Sequence, residues 1–357
     1  SYSSEVVLPK FNENRKRYLS EIGDKIRMDV KHFQKVITDF EHSGCDYTAD
    51  DVIAEFSSNN PENFLLPFME GVIANLKTLG KIRTSETYAA TLCSFRRFRE
   101  DKDVTLDDMD SDMMMAYEAY LKNNGVSPNS SSFYMRNLRA VYNRAVEKGL
   151  TSQRFPFKHV YTGVEKTVKR AVPLKVIKRI KEMDFSMNPT FDFARDMFLM
   201  SFYTRGMSFV DMAYLRKKDL QNGVLSYRRR KTGQLLFIKW EKCMQEIVNK
   251  YDTSQSNYLL PIIKPFGDID ERKQYIYAAH NINRCLKIIG KELGLSVSLT
   301  LYVARHAWAS IAKSKNVPLS VISEGMGHDS EATTRIYLAS LDTMAIDKAN
   351  SMILKSL

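Results

Sequence analysis

LYVARHAWASIAKSKNVPLSVISEGMGHDSEATTRIY, residues 301–337, places an arginine-histidine pair in one helical pattern and a glycine-flanked histidine before another. The spacing predicts helices over about 299–314, 318–325 and 331–338, separated by short polar connections. Gly325-Met326-Gly327 reads as a turn, and Asp329-Ser330 as a helix-start signal. Tyr337 follows His328 by nine positions. Taken alone, the segment is a turn, a cap and a core tyrosine. Whether the histidine and tyrosine carry chemistry depends on the rest of the chain.

Upstream, GVLSYRRRKTGQLLFIKW (223–240) has two β-rich runs around Lys231-Thr232-Gly233, the signature of a hairpin. Further helices are expected at about 241–250 and 277–293. This half of the chain is strongly basic. Residues 169–357 hold 30 Lys/Arg against 18 Asp/Glu, whereas residues 1–62 hold 8 against 12 and residues 63–168 hold 15 against 12. A surplus placed this way points to a nucleic-acid backbone as counter-charge.

The N-terminal half reads as helices throughout. Leu19, Ile22, Ile26, Val30, Phe33 and Ile37 form one apolar stripe between Asn14 and His42, and Thr48 opens a shorter helix. From residue 62 onward four helical patterns follow, with Gly80, Gly125 and Gly149 closing three of them. The run DDMDSDMMM (107–115) lacks the glycine and the distal Glu of a calcium loop, so it reads as a capped helix start with a Met-lined face. RFPFKHVYTGVEKTVKRAVP (154–173) has five Lys/Arg and no helical period, as an interdomain linker would. We expect boundaries near 1–60, 61–153, 154–173 and 174–357.

Several classes drop out. No run of eighteen apolar residues exists, so no membrane-spanning helix is expected. The opening SYSSEVVLPK has neither an initiator Met nor a signal-peptide pattern, as in a trimmed chain of cytoplasmic location. Cys45, Cys93, Cys243 and Cys285 lack paired spacing, so neither a zinc site nor a disulfide framework is suggested. No phosphate-cradling glycine motif or HExxH occurs, and no cofactor or metal is called for.

What remains is a set of cationic donors around one oxygen nucleophile: Arg205, Lys231, Arg305, His328 and Tyr337. Arginine forks bind two phosphate oxygens at once and stay charged. Fixed donors stabilise the transition state of phosphodiester transfer more than its ground state. A phenol near pKa 10 becomes a nucleophile where neighbouring cations favour its phenolate. Arg228, Arg229, Arg230, Lys239 and Arg335 are further candidates for phosphate contact.

These residues resemble the tyrosine recombinase (phage integrase) family, of the mobile-element integrase type, over roughly 62–357. Arg305-His306, Gly327-His328 and Tyr337 match the family's second box and its spacing, and Lys231 matches its hairpin lysine. The resemblance implies a mainly α chain with a small β-hairpin or sheet: a helical SAM-like core-DNA-binding domain, then an α+β catalytic domain. It implies residues 1–60 as the remnant of an arm-binding module with a long coupling helix. It further implies Tyr337 as nucleophile toward a 3′-phosphate, Arg305 and His328 on the scissile phosphate, and Lys231 as proton donor to the 5′-oxygen. Partners implied are double-stranded DNA, three further copies in a tetramer, and an accessory DNA-bending protein. Two positions depart from the family pattern. Tyr302 stands where the family has His, which leaves it a supporting hydrogen-bond role. Ser208 stands where the first arginine belongs, and Arg205, three residues earlier, is assigned that task. Two other readings stay open: a DNA-binding protein of this fold without catalysis, and a DNA-relaxing topoisomerase of related chemistry.

Overall fold

Amphipathic helices account for most of the chain. The computed structural model describes residues 13–44, 46–58, 63–165, 171–264, 269–338 and 350–354, without some side chains in the first, second and last of the named helices, Tyr337's among them. Cys45 and the apolar positions Met344, Ile346 and Ala349 of the C-terminal segment lie outside the described residues. The chain forms two units, Ser1–Lys166 and Thr167–Leu357.

In the first unit, α1 (Glu13–Ser43) and α2 (Ala49–Ser58) pair through buried Val36 and Val52 and an edge-to-face Phe33–Phe56 contact. The apolar stripe read in the sequence is helical, but Leu19, Ile22, Ile26 and Val30 are exposed on it. Four helices then build a bundle: α3 (Leu65–Thr78), α4 (Ile82–Arg99), α5 (Ser111–Asn123) and α6 (Pro128–Glu147). Its core sets Phe95 edge-to-face with Tyr117 at 5.2 Å and includes Leu65, Met69, Leu138 and Tyr142. The acidic-Met run is a helix start: Asp110 accepts the Met113 amide at 2.8 Å, and Met109 and Met114 are fully buried. Phe157 and Val160, from the aperiodic basic stretch, complete this core.

The second unit starts with α7 (Leu174–Glu182) and the central α8 (Pro189–Tyr203). A short α9 (Phe209–Ala213) and a 3₁₀ turn lead into an antiparallel sheet of β1 (Leu220–Gln221), β2 (Val224–Arg228) and β3 (Leu235–Lys239). In β2 and β3 the inward residues Leu225, Tyr227, Leu236 and Ile238 are buried, while Leu235 and Phe237 face outward. Helices α10 (Lys242–Asn249), α11 (Glu271–Glu292), α12 (Leu301–Ser314), α13 (Leu319–Met326) and α14 (Glu331–Leu338) follow. Helix α8 is covered by α7, α10, α11 and α12, so its apolar residues Ala194, Met197, Phe198 and Met200 have no exposure. Among the described residues the fold is thus mainly α with one three-stranded sheet.

Helix α8 also buries a carboxylate. Asp196 is 2% exposed and accepts from Arg195 Nη2 at 2.9 Å, Lys250 Nζ at 2.6 Å and Tyr251 Oη at 2.8 Å. This cluster ties α8 to the end of α10. Removing the carboxylate leaves Arg195 and Lys250 to share Asp192 and takes the acceptor from the Tyr251 hydroxyl in a partly dry site. Asp196→Ala is therefore expected to destabilise the second unit by about 3 kcal/mol, read as a lowered urea midpoint for that unit's transition.

Candidate active site

Arg305 lies in the second turn of α12 and is 5% exposed. Its Nη1 donates to the Gly206 carbonyl at 2.7 Å, and its Nη2 donates to the Met326 carbonyl at 2.8 Å. The same Nη2 lies 3.0 Å from His328 Nε2. One guanidinium on α12 thereby joins two stretches distant in sequence: the turn after α8, and the run from the end of α13 through Gly327 to His328.

Each segment is shaped for this contact. Helix α8 ends at Tyr203, and Arg205 and Gly206 both adopt left-handed backbone, φ +60° and +73°. A β-carbon on Gly206 would stand 2.7 Å from Arg305 Cα, so only glycine allows the approach. Gly327 closes α13 in the left-handed conformation at φ +65°, and the His328 amide returns to the Ser323 carbonyl at 3.0 Å. A β-carbon at Gly327 would lie 2.8 Å from Leu236 Cδ1 and 3.1 Å from Arg229 Cδ, so the hairpin seats directly on this glycine.

Between the end of α8 and the start of α9 the chain makes a turn that holds Arg205. Ser208 caps α9: its hydroxyl donates to Asp211 Oδ2 at 2.6 Å and accepts the Asp211 amide at 3.4 Å. Buried Asp211 also accepts the Arg230 amide at 2.9 Å, which links this cap to the hairpin. Arg205 is half-buried, and its Cδ lies 3.6 Å from where a β-carbon of Gly325 would sit, beside the end of α13.

The three consecutive arginines have three different settings. Arg229 is 8% exposed and donates to the Gly327 carbonyl, so it is a buried strut and not part of a surface basic run. Strand alternation is the cause: Tyr227 and Arg229 turn inward, Arg228 and Arg230 outward. Arg228 donates to the Gly233 carbonyl of its own hairpin, and Arg230 lies 3.9 Å over the Tyr214 ring. Lys231 is exposed in the turn, close enough to act electrostatically on His328. Lys239 is exposed and 3.8 Å from Glu241. Tyr302 is 59% exposed on the first turn of α12, its ring edge-to-face with His306 at 4.6 Å. Arg335 is exposed on α14, and Tyr337 belongs to that helix. Among the described residues no cluster of His, Cys, Asp or Glu forms a metal site, and no helix is long and apolar enough to cross a membrane.

Two family models match the sequence: a phage integrase SAM-like domain over residues 64–160, and the phage integrase family over residues 174–344. The chain belongs to the phage integrase family of tyrosine recombinases. This recombinase is therefore a member of a family of DNA breaking and rejoining enzymes. Its fold is similar to a lambda integrase dimer bound to a COC′ core site, with a TM-score of 0.61 and 16% identity over 83% of this chain and 82% of that one. An XerH site-specific recombinase on a palindromic difH substrate gives 0.58 and 16% over 79% and 83%. The Tn1549 transposon integrase with circular-intermediate DNA gives 0.56 and 16% over 76% and 94%. A search of curated proteins gives no match.

The imidazole of the recombinase's His328 is pushed down from its ordinary 6.5 to about 4, first by burial and then by the positive charges of Arg305, Arg229 and Lys231. Between those two values the unfolded chain binds a proton that the folded chain refuses. Stability from this group is complete above 6.5 and falls as pH drops toward about 4. We predict that His328→Gln flattens this part of the profile, measured as the pH dependence of the urea midpoint against wild type.

Proposed function

We propose that the chain is a site-specific DNA recombinase that cuts and rejoins strands through a 3′-phosphotyrosine at Tyr337. The observation that carries this reading is the Arg305–His328 pair, anchored on backbone carbonyls beside the Lys231 hairpin and followed directly by the helix bearing Tyr337.

In the proposed reaction the Tyr337 oxygen, having lost its proton, attacks the scissile phosphorus. A tyrosyl–phosphorus bond forms as the bond to the 5′-oxygen breaks, and Lys231 gives the departing oxygen its proton. Arg305, His328 and Arg205 bind the non-bridging oxygens, where charge gathers in the transition state. Tyr302 serves as an additional hydrogen-bond donor. Reversal by a second 5′-hydroxyl rejoins the strand, so no nucleotide is consumed. The basic second unit supports duplex binding through phosphates. Lambda integrase is known as a tetramer bound to a Holliday junction, which supports a tetramer on DNA here. Integration or excision of a mobile element, or inversion of a segment, is the proposed biological setting, with an accessory DNA-bending protein as partner.

A nicked suicide substrate carrying the chain's own site should trap covalent protein–DNA adduct with wild type and none with Tyr337→Phe. Absence of adduct with wild type on a verified binding site overturns the reading in favour of a binding protein. Relaxation of a plasmid lacking the site would instead favour a topoisomerase. Arg205→Ala is expected to lower adduct formation by about a thousandfold while largely sparing DNA binding. Unchanged cleavage removes Arg205 from the site.

A further inference from the structure

The Arg305–His328 contact fixes more than a distance. A guanidinium has donors and no acceptor, so His328 Nε2 accepts from Arg305 Nη2 at 3.0 Å. Nε2 is then unprotonated, and the proton of the neutral ring resides on Nδ1. That nitrogen lies 2.7 Å from the hydroxyl oxygen of Thr334, which accepts it. Thr334 is fully buried in α14, so no solvent stands ready to replace its hydroxyl. As a β-branched residue within a helix it also has few rotamers to explore.

We infer that Thr334 is a positioning residue: it holds the Nδ1 proton of His328 and so confines proton exchange and phosphate contact to Nε2. This inference rests on the recombinase reading above. Arg305 from α12 and Thr334 from α14 contact the ring nitrogens, and the positive charges of Arg229 and Lys231 on the hairpin also act on the ring. With three cations around it the ring stays neutral while the site holds no anion. A phosphate offsets that charge, and a proton from solvent then adds to the Nε2 lone pair. Two donors cannot face each other, so the Arg305–His328 bond opens and both N–H groups are left to donate to the same phosphate. Throughout, Nδ1–H stays on Thr334. Because Thr334 lies one helical turn before Tyr337, the same bond also holds the nucleophile's helix in register with the phosphate-binding pair.

The test uses the full chain labelled with ¹⁵N. Long-range ¹H–¹⁵N correlation reports which ring nitrogen carries the proton, with the His328 signal assigned by its loss in His328→Gln. Wild type and Thr334→Ser should show the Nδ1–H tautomer, with that proton slow to exchange with solvent. Thr334→Val, of the same shape but unable to accept, should keep the tautomer set by Arg305 but exchange the Nδ1 proton faster and form adduct on the order of tenfold more slowly, with Thr334→Ser restoring both. An Nε2–H tautomer in wild type overturns the inference, as does a Thr334→Val protein with wild-type proton exchange and wild-type rate. Should Thr334→Val fail to fold, Thr334→Ala is read by the same two measurements. A wild type with the Nδ1–H pattern and no adduct on its verified site overturns the recombinase reading while supporting the tautomer assignment.

Discussion

Everything at the candidate site depends on how one buried cation is held. Two backbone carbonyls and an imidazole nitrogen, all neutral, fix the orientation of the Arg305 guanidinium. A carboxylate in their place would have produced a stable ion pair with less to offer an incoming phosphate. Carbonyl seats impose a different demand, since backbone must come very close to side chain. That demand is met by Gly206, where no β-carbon fits, and by the left-handed glycine that ends α13.

The Asp196 cluster on the far end of α8 shows the opposite solution. There Arg195 and Lys250 are matched by Asp192 and Asp196 in a network that neutralises itself. One helix thus leads from a cluster of paired charges to a turn beside a cation seated on backbone carbonyls. The first kind of arrangement holds elements together. The second is suited to binding something else. Sequence composition cannot separate them, because both are arginines next to polar residues.

Much of the architecture was legible beforehand because it rests on periodicity. The four helical patterns read from residue 62 onward are the helices α3 to α6, with Tyr88, Leu92 and Phe95 buried on α4 and Leu138, Val141 and Tyr142 buried on α6. The hairpin turn lies between β2 and β3 around Lys231-Thr232-Gly233. The juxtaposition of Arg305 with His328 was implied by spacing and family resemblance, not by any local rule. What escaped was non-periodic or non-local. The 203–208 turn depends on two consecutive left-handed residues, and only Gly206 announces that in the sequence. Phe157 and Val160 join a core without any repeating pattern. Arg229 stands in a run of three arginines read together as candidates for phosphate contact, yet continuing the alternation of β2 by one step turns it inward. Helix α1 kept its period, but its first apolar positions are exposed, since a stripe specifies a face and not what covers it.

The hairpin's attachment has a mechanical consequence. Arg229 rivets its turn end to the Gly327 carbonyl, while Lys231, two residues further on, stands in solvent. The Arg230 amide is held by buried Asp211 as well, so the backbone carrying Lys231 is fixed and the reach of the ammonium is that of its own side chain. Residues inserted beyond Arg230 would add loose chain to that reach and dilute the ammonium's presence at any one point, while leaving both anchors intact.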